Sequence, residues 1–178
     1  QNTRILLGRT GLSVSPIGFG SYRIENQEHR KALLAALENG CNLIDTSTNY
    51  TDGASEKLIG SVLNELFSTD KLKREAVVVI TKAGYLQGEN LTIAQERERR
   101  GIPYANVTKY HEDCWHCIEP EFLKDQITRS LERLKLKQID VLLLHNPEYF
   151  LKLHGQEHAE YYVRIKRAFE YLETEVTA

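Results

Sequence analysis

The sequence predicts an α/β fold built on a parallel sheet. Short apolar runs alternate along the chain with longer segments patterned at the helical period, the signature of strand-helix units. Three of the runs, CNLIDTS, AVVVITK and IDVLLLH, read as buried parallel strands, and Val77 to Thr81, five apolar or β-branched residues in a row, reads as buried on both faces. Each closes on one polar group at or near its carboxyl end: Asp45, Lys82 and His145.

The elements follow in order. RILLGRTGLSVS reads as a small hairpin with a tight turn at Thr10-Gly11. Ile17 to Ser21 is the first strand of the sheet. A helix runs from Gln27 to Asn39, with Asn26 as its cap, Gly40 as its stop, and Leu33, Leu34 and Leu37 as its apolar stripe. Asn42 to Asp45 is the second strand. The next helix spans Ser55 to Leu66 and carries Leu58, Ile59, Val62, Leu63 and Leu66 at helical spacing. Val77 to Thr81 is the third strand. Pro120 opens a helix that reaches Lys135, since proline suits a first turn. Ile139 to Leu144 is the fourth strand. A last helix, Gln156 to Glu175, is expected to bury Tyr162, Ile165, Phe169 and Leu172.

Between the third strand and its helix lies a polar stretch of residues 84–119, read as a long loop insertion that acts as a lid or binding segment. Two architectures accommodate four such units. A doubly wound sheet usually carries GxGxxG after its first strand; here Gly18-Phe19-Gly20-Ser21-Tyr22-Arg23 lacks the third glycine. A (β/α)8 barrel needs roughly 250 residues. The chain has 178, so strands one to four would be the N-terminal half of a barrel, preceded by the hairpin. Residues 1–178 are therefore read as a single, partial domain. No methionine occurs and the chain begins at Gln1, which predicts a trimmed start.

Composition excludes several classes. A net charge of −2 offers no footprint for nucleic acid or an acidic membrane surface. No apolar run approaches the roughly 18 residues that span a bilayer. The amino terminus has no apolar core of the secretory kind, and three cysteines without a signal argue against a disulfide framework, so a cytoplasmic protein is expected.

With the elements in place, LGRTGLSVSPIGFGS, LIDTSTNY followed by GASEKLIG, VVVITKAG and IDVLLLHNPE resemble the aldo-keto reductase family. Asp45, Tyr50, Lys82 and His145 match the order and spacing of that family's catalytic tetrad. The stretch ending in HCIEPEFLKDQITRSLERL resembles a subgroup with an extended loop after the third strand. The resemblance implies a barrel that reduces a small aldehyde or ketone with NADPH. Hydride attack on a carbonyl builds negative charge on oxygen, which must be met by a proton or a strong hydrogen bond. A phenol is a weak acid at neutral pH, and a nearby ammonium favours its ionised form. Tyr50 is thus the acid, Lys82 its tuner, Asp45 the anchor of Lys82, and His145 the donor that orients the carbonyl.

The resemblance places the nicotinamide near the end of the first strand, with Gly20, Ser21, Tyr22 and Asp45 as cofactor-binding candidates. The family's contacts to the 2′-phosphate follow its fifth strand, which has no counterpart in these residues. Cys114-Trp115-His116-Cys117, with His111, offers zinc-type ligands or a redox pair on paper. One pair closing a long loop is instead read as cysteines packed at the barrel rim, with no metal. The run Glu96 to Arg100 is read as a solvated helical face, and His154 and His158 as surface residues. A different class of function also fits. A half-barrel with exposed strand edges would pair with another chain, through self-association or a missing C-terminal half, and act as a non-catalytic binding module.

Overall fold

The structure, a computed structural model, describes residues 3–176. The two residues at each terminus, including the predicted trimmed start, lie outside the described residues. The elements in chain order are β1 (Ile5–Leu6), β2 (Ser13–Val14), β3 (Phe19–Gly20), α1 (Gln27–Glu38), β4 (Leu43–Asp45), α2 (Ala54–Ser68), β5 (Val78–Ala83), β6 (Tyr85–Leu86), α3 (Gly88–Arg99), β7 (Thr108–His111), β8 (Cys114–His116), α4 (Pro120–Leu134), β9 (Val141–Leu144), α5 (Tyr149–His154) and α6 (His158–Val176). A short 3-10 turn, Tyr50–Gly53, leads into α2. The chain divides into two compact units, Gln1–Lys82 with Arg129–Leu143, and Ala83–Thr128 with Leu144–Ala178.

The first unit starts with the predicted hairpin. Ile5 pairs with Val14 across an antiparallel register, and the turn closes through the Leu7 amide on the Leu12 carbonyl at 2.9 Å. Asn42 pins this hairpin to the sheet. Its side-chain oxygen accepts from the Ser15 amide at 2.7 Å, and its amide nitrogen donates to the carbonyls of Ser13 and Ala76. The sheet order is β3-β4-β5-β9, and β3, β4 and β5 run parallel. α1 begins where its cap predicts: Asn26 Oδ1 accepts from the His29 amide at 3.0 Å. It ends at Gly40, whose φ of +88° is one that glycine adopts without steric cost.

Register decides which face each strand residue serves. Ile44 lies opposite Val79, and both are buried in one core with Leu33, Ile59, Val62, Leu63 and Leu134. Side chains alternate along a strand, so Asp45, Ile80 and Lys82 project from the opposite face. Burying such aliphatic side chains contributes about 1.5–3 kcal/mol each before entropy is counted.

The second unit corrects the reading of residues 84–119. They form β6, α3, β7 and β8, with a three-stranded antiparallel sheet in the order β6-β8-β7. The segment folds because it has a core of its own: Leu86, Leu91, Ala94, Tyr104, Trp115, Cys117 and Phe122 are buried together. Alternation was hidden by short strands of two to four residues. The acidic and basic run is helical, as expected, but not simply solvated. Arg97 stacks 4.1 Å over the Tyr104 ring and pairs with Glu121, while Glu98 pairs with Lys109.

α6 also differs from expectation. Ala168 is its fully buried residue, joined by partly buried Ile165, Tyr171 and Leu172. Tyr162 and Phe169 are 64% and 50% exposed. Phe169 stands roughly a quarter-turn from Ala168 at about 3.6 residues per turn, so it misses the buried stripe. The small residue, not the aromatic ones, marks the packed face. His154 and His158 are exposed, as predicted. Among the described residues no helix is long and apolar enough to cross a membrane.

Candidate active site

Three of the four predicted catalytic residues meet in the first unit. Lys82, on β5, donates from Nζ to Asp45 Oδ1 at 2.6 Å, to the Thr46 carbonyl at 2.8 Å and to Tyr50 Oη at 3.2 Å. The ammonium also lies 4.8 Å from the centre of the Tyr50 ring. Its three donor positions are thereby directed at a carboxylate, a carbonyl and a phenol. The Lys82 side chain is 13% exposed and Asp45 is 40% exposed. Water therefore screens the carboxylate side of the pair more than the ammonium side.

Local backbone brings Tyr50 to this ammonium. After β4, the Thr46 amide donates to the Ile80 carbonyl at 2.9 Å and the Thr48 amide to the Lys82 carbonyl at 3.1 Å, so the chain follows β5 past its last paired residue. The Ser47 hydroxyl bonds Asn49 at 2.7 Å. The 3-10 turn then starts at Tyr50. Its residues Thr51 and Asp52 have φ of +48° and +52°, a left-handed conformation that is uncommon outside glycine and a real outlier for a β-branched residue. Tyr22 packs edge-on to Tyr50 with ring centres 5.2 Å apart.

The cofactor candidates form an adjoining wall. Gly20 lies opposite Asp45 in the parallel register, and nothing stands within 4 Å of the place a Cβ would take. Tyr22 is exposed, with the Arg23 guanidinium over its ring. Ser21 is buried and spends its hydroxyl on the Asp45 carbonyl at 2.8 Å, so it holds the backbone of Asp45. Thr46 and Thr48 bury hydroxyl oxygens with no hydrogen-bond partner among the described residues. An open glycine, a half-exposed carboxylate and a flat aromatic ring suit the ribose and ring of a nicotinamide nucleotide. Threonine after a strand is common, so the sequence carries no signal for this pair.

His145 belongs to the second unit. It follows β9, its amide donates to the Ala83 carbonyl at 2.8 Å, and the Tyr85 ring meets its imidazole edge-on at 4.7 Å. Its own carbonyl is 2.6 Å from Nε2 of His116. A carbonyl can only accept, so Nε2 carries the hydrogen. His116 is buried, and burial holds its imidazole below the usual histidine range, with the bond to His145 opposing that in part. In CWHC it is the histidine between the cysteines, not a thiol, that touches His145. Cys114 and Cys117 are buried free thiols, both pushed up by burial, Cys117 to about 12. Among the described residues no group of three or more histidine, cysteine or acidic side chains could hold a metal ion.

The site is an ammonium held against a carboxylate and a phenol at the carboxyl end of a parallel α/β sheet. The aldo/keto reductase family model matches residues 16–176, and the chain belongs to that family. It is 30% identical over 152 residues to the NADH-specific methylglyoxal reductase of Escherichia coli, covering 80% of this chain and 41% of that protein. It is 32% identical over 158 residues to a D-threo-aldose 1-dehydrogenase from a Pseudomonas species, covering 83% and 45%. Among solved structures, a Bacillus halodurans aldo-keto reductase in its holo form aligns with a TM-score of 0.60 at 27% identity, over 87% of this chain and 48% of that one. The chain spans less than half the length of the curated relatives it matches.

Proposed function

We propose that this chain carries the proton-delivery site of an oxidoreductase that reduces a small aldehyde or ketone with a nicotinamide cofactor. The observation that carries this reading is the contact of Lys82 Nζ with both Asp45 and Tyr50. When bound, a reduced nicotinamide, NADPH by the family resemblance, would supply the hydride for the carbonyl carbon. Tyr50 gives its phenolic proton to the oxygen as charge builds there, and Lys82 stabilises the phenolate left behind until solvent returns a proton. Asp45 holds the ammonium in place. Gly20, Tyr22 and Asp45 would hold the nicotinamide end, with Ser21 fixing the Asp45 backbone. His145 takes the role of orienting donor on its place in the residue order. The four-stranded sheet is read as the N-terminal half of a (β/α)8 barrel, and 1–178 as one partial domain.

NADH is the competing cofactor, since the Escherichia coli relative is NADH-specific by name. Oxidation of each nucleotide, followed by absorbance with methylglyoxal and a panel of aldoses, tests the reading. Carbonyl-dependent oxidation of either nucleotide supports it. Tight cofactor binding without turnover of any carbonyl contradicts it.

Ile17, exposed beside a cleft of about 540 Å³ next to β3 at the edge of the four-stranded sheet, favours a second function: a non-catalytic half-barrel that pairs with another chain. Sedimentation of the purified chain separates the two. A dimer that oxidises no nucleotide supports the binding module, and a monomer rules out self-pairing.

A further inference from the structure

We infer that Glu56 is a positioning residue for the proton donor, holding the strained turn that presents Tyr50 to Lys82. The inference rests on the proposed role of Tyr50 and Lys82, and it adds to that role a bracket on the far face of the sheet.

Glu56 is a carboxylate with 0% exposure in the first turn of α2. Its two oxygens have different partners. Oε1 accepts from the Thr81 hydroxyl at 2.6 Å, and Oε2 accepts from Arg133 Nε at 2.6 Å. Thr81 is the residue directly before Lys82, and alternation along β5 sends its side chain to the helix-covered face while Lys82 points to the other. Glu56 therefore grips the same strand from behind, one residue from the ammonium. Burying a carboxylate needs such a pair, since an unpaired charge there would be strongly disfavoured.

The other end of the bracket reaches the turn. Arg133 packs its Cδ 2.9 Å from the place a Cβ on Gly53 would take. Gly53 closes the 3-10 turn and caps α2 with φ of +84°. Between Tyr50 and Gly53 sit Thr51 and Asp52, both left-handed. Residues in that region persist only where their surroundings over-determine them. On the amino-terminal side, the hydrogen bonds of Thr46 and Thr48 to β5 supply the constraint. On the carboxyl-terminal side, the Glu56–Arg133 pair and the Ser55 hydroxyl on the Ile24 carbonyl supply it. Tyr50 thus hangs from a turn clamped at both ends to the strand that carries Lys82.

The test reads the phenol itself. The chain has nine tyrosines, so it is labelled with ζ-carbon-13 tyrosine and the Tyr50 resonance is assigned by its absence in Tyr50→Phe. Thr81→Val removes the hydroxyl without changing shape, and Thr81→Ser restores it. The Tyr50 resonance is expected to move by more than its linewidth in Thr81→Val and to return in Thr81→Ser, with the Tyr104 resonance unmoved. A folded Thr81→Val chain with an unmoved Tyr50 resonance overturns the inference. If Thr81→Val unfolds, Arg133→Lys is read in its place, because it keeps a charge beside Glu56 while losing the Nε contact; the same shift, or its absence, decides. In parallel, carbonyl reduction by the folded variant is expected to fall about tenfold or more in kcat with KM little changed, as small misplacements of reacting groups do. An active wild-type chain whose kcat is untouched by Thr81→Val also overturns the bracket. A chain that shows the resonance shift but reduces no carbonyl supports the bracket and fails the proposed function.

Discussion

Gly60→Ala tests whether α2 is pinned where the site requires. Gly60 is buried on α2, and a Cβ there would lie 2.6 Å from the Leu134 carbonyl carbon and 2.7 Å from its oxygen, and closer still to the Arg133 carbonyl oxygen. Alanine in a helix interior normally gains about 1 kcal/mol over glycine. Overpacking costs about 1–3 kcal/mol, and backbone atoms cannot rotate away as a side chain can, so the upper end applies. The net expectation is a loss of about 2 kcal/mol. At about 2–4 °C per kcal/mol for a chain of this size, melting should fall by about 4–8 °C. The assay is a thermal melt by circular dichroism, with Gly20→Ala as control, since nothing stands within 4 Å of its Cβ position. A Gly60→Ala chain that melts at or above the wild type refutes the close approach of α2 to the end of α4. It would also remove the geometry that sets Glu56 against Arg133.

Lys82→Met should lower carbonyl reduction by about 10²-fold or more, because it removes the charge beside the phenol; turnover within a few-fold of the wild type counts against Lys82 supporting Tyr50. Cys41, only partly buried, should react with a thiol reagent at pH 8 in the native chain, while Cys114 and Cys117 stay unreacted until it unfolds, since burial keeps both protonated; fast labelling of all three thiols would contradict their placement. The His116 imidazole is held below its ordinary value of 6.5, so the unfolded chain takes up that proton first as pH falls. Stability from this residue is present above about 6.5 and is lost as pH drops through the lower folded value. Melting temperatures measured between pH 7 and 5 should fall less steeply for His116→Gln, and an identical slope would show that His116 does not carry the effect.

Much of the fold could be read from local signals that act alone. Asn26 and Gly40 bracket α1 because a cap oxygen and a left-handed glycine work without tertiary help. β5 was legible because a run of apolar and β-branched residues marks a buried parallel strand, whereas β9 is only partly buried and exposes Leu143, so its apolar run does not mean cover on both faces. α6 was legible as a helix but not in its orientation, since the apolar residues wrap further round than the face that packs, and small Ala168 decides it. The insertion failed as a strand signal because its strands are too short to show alternation and its core residues come from four elements. In the site, Asp45 and Lys82 stand out because each closes an apolar run, while Tyr50 enters through the LIDTSTNY motif of the family resemblance. Glu56 could not, because a glutamate in a first helical turn ordinarily serves the helix dipole, and only the fold shows Thr81 and Arg133 around it.

The most direct measurement compares the wild-type chain with Tyr50→Phe, recording carbonyl-dependent nucleotide oxidation and, by fluorescence titration, nucleotide affinity. Removing only the proton donor should lower kcat by about 10²–10⁴-fold, while nucleotide affinity stays within about twofold, a difference of only about 0.4 kcal/mol. Retained turnover in Tyr50→Phe, or an equal loss of turnover and nucleotide binding, would contradict the proposal that Tyr50 is the acid, with Lys82 and Asp45 in support.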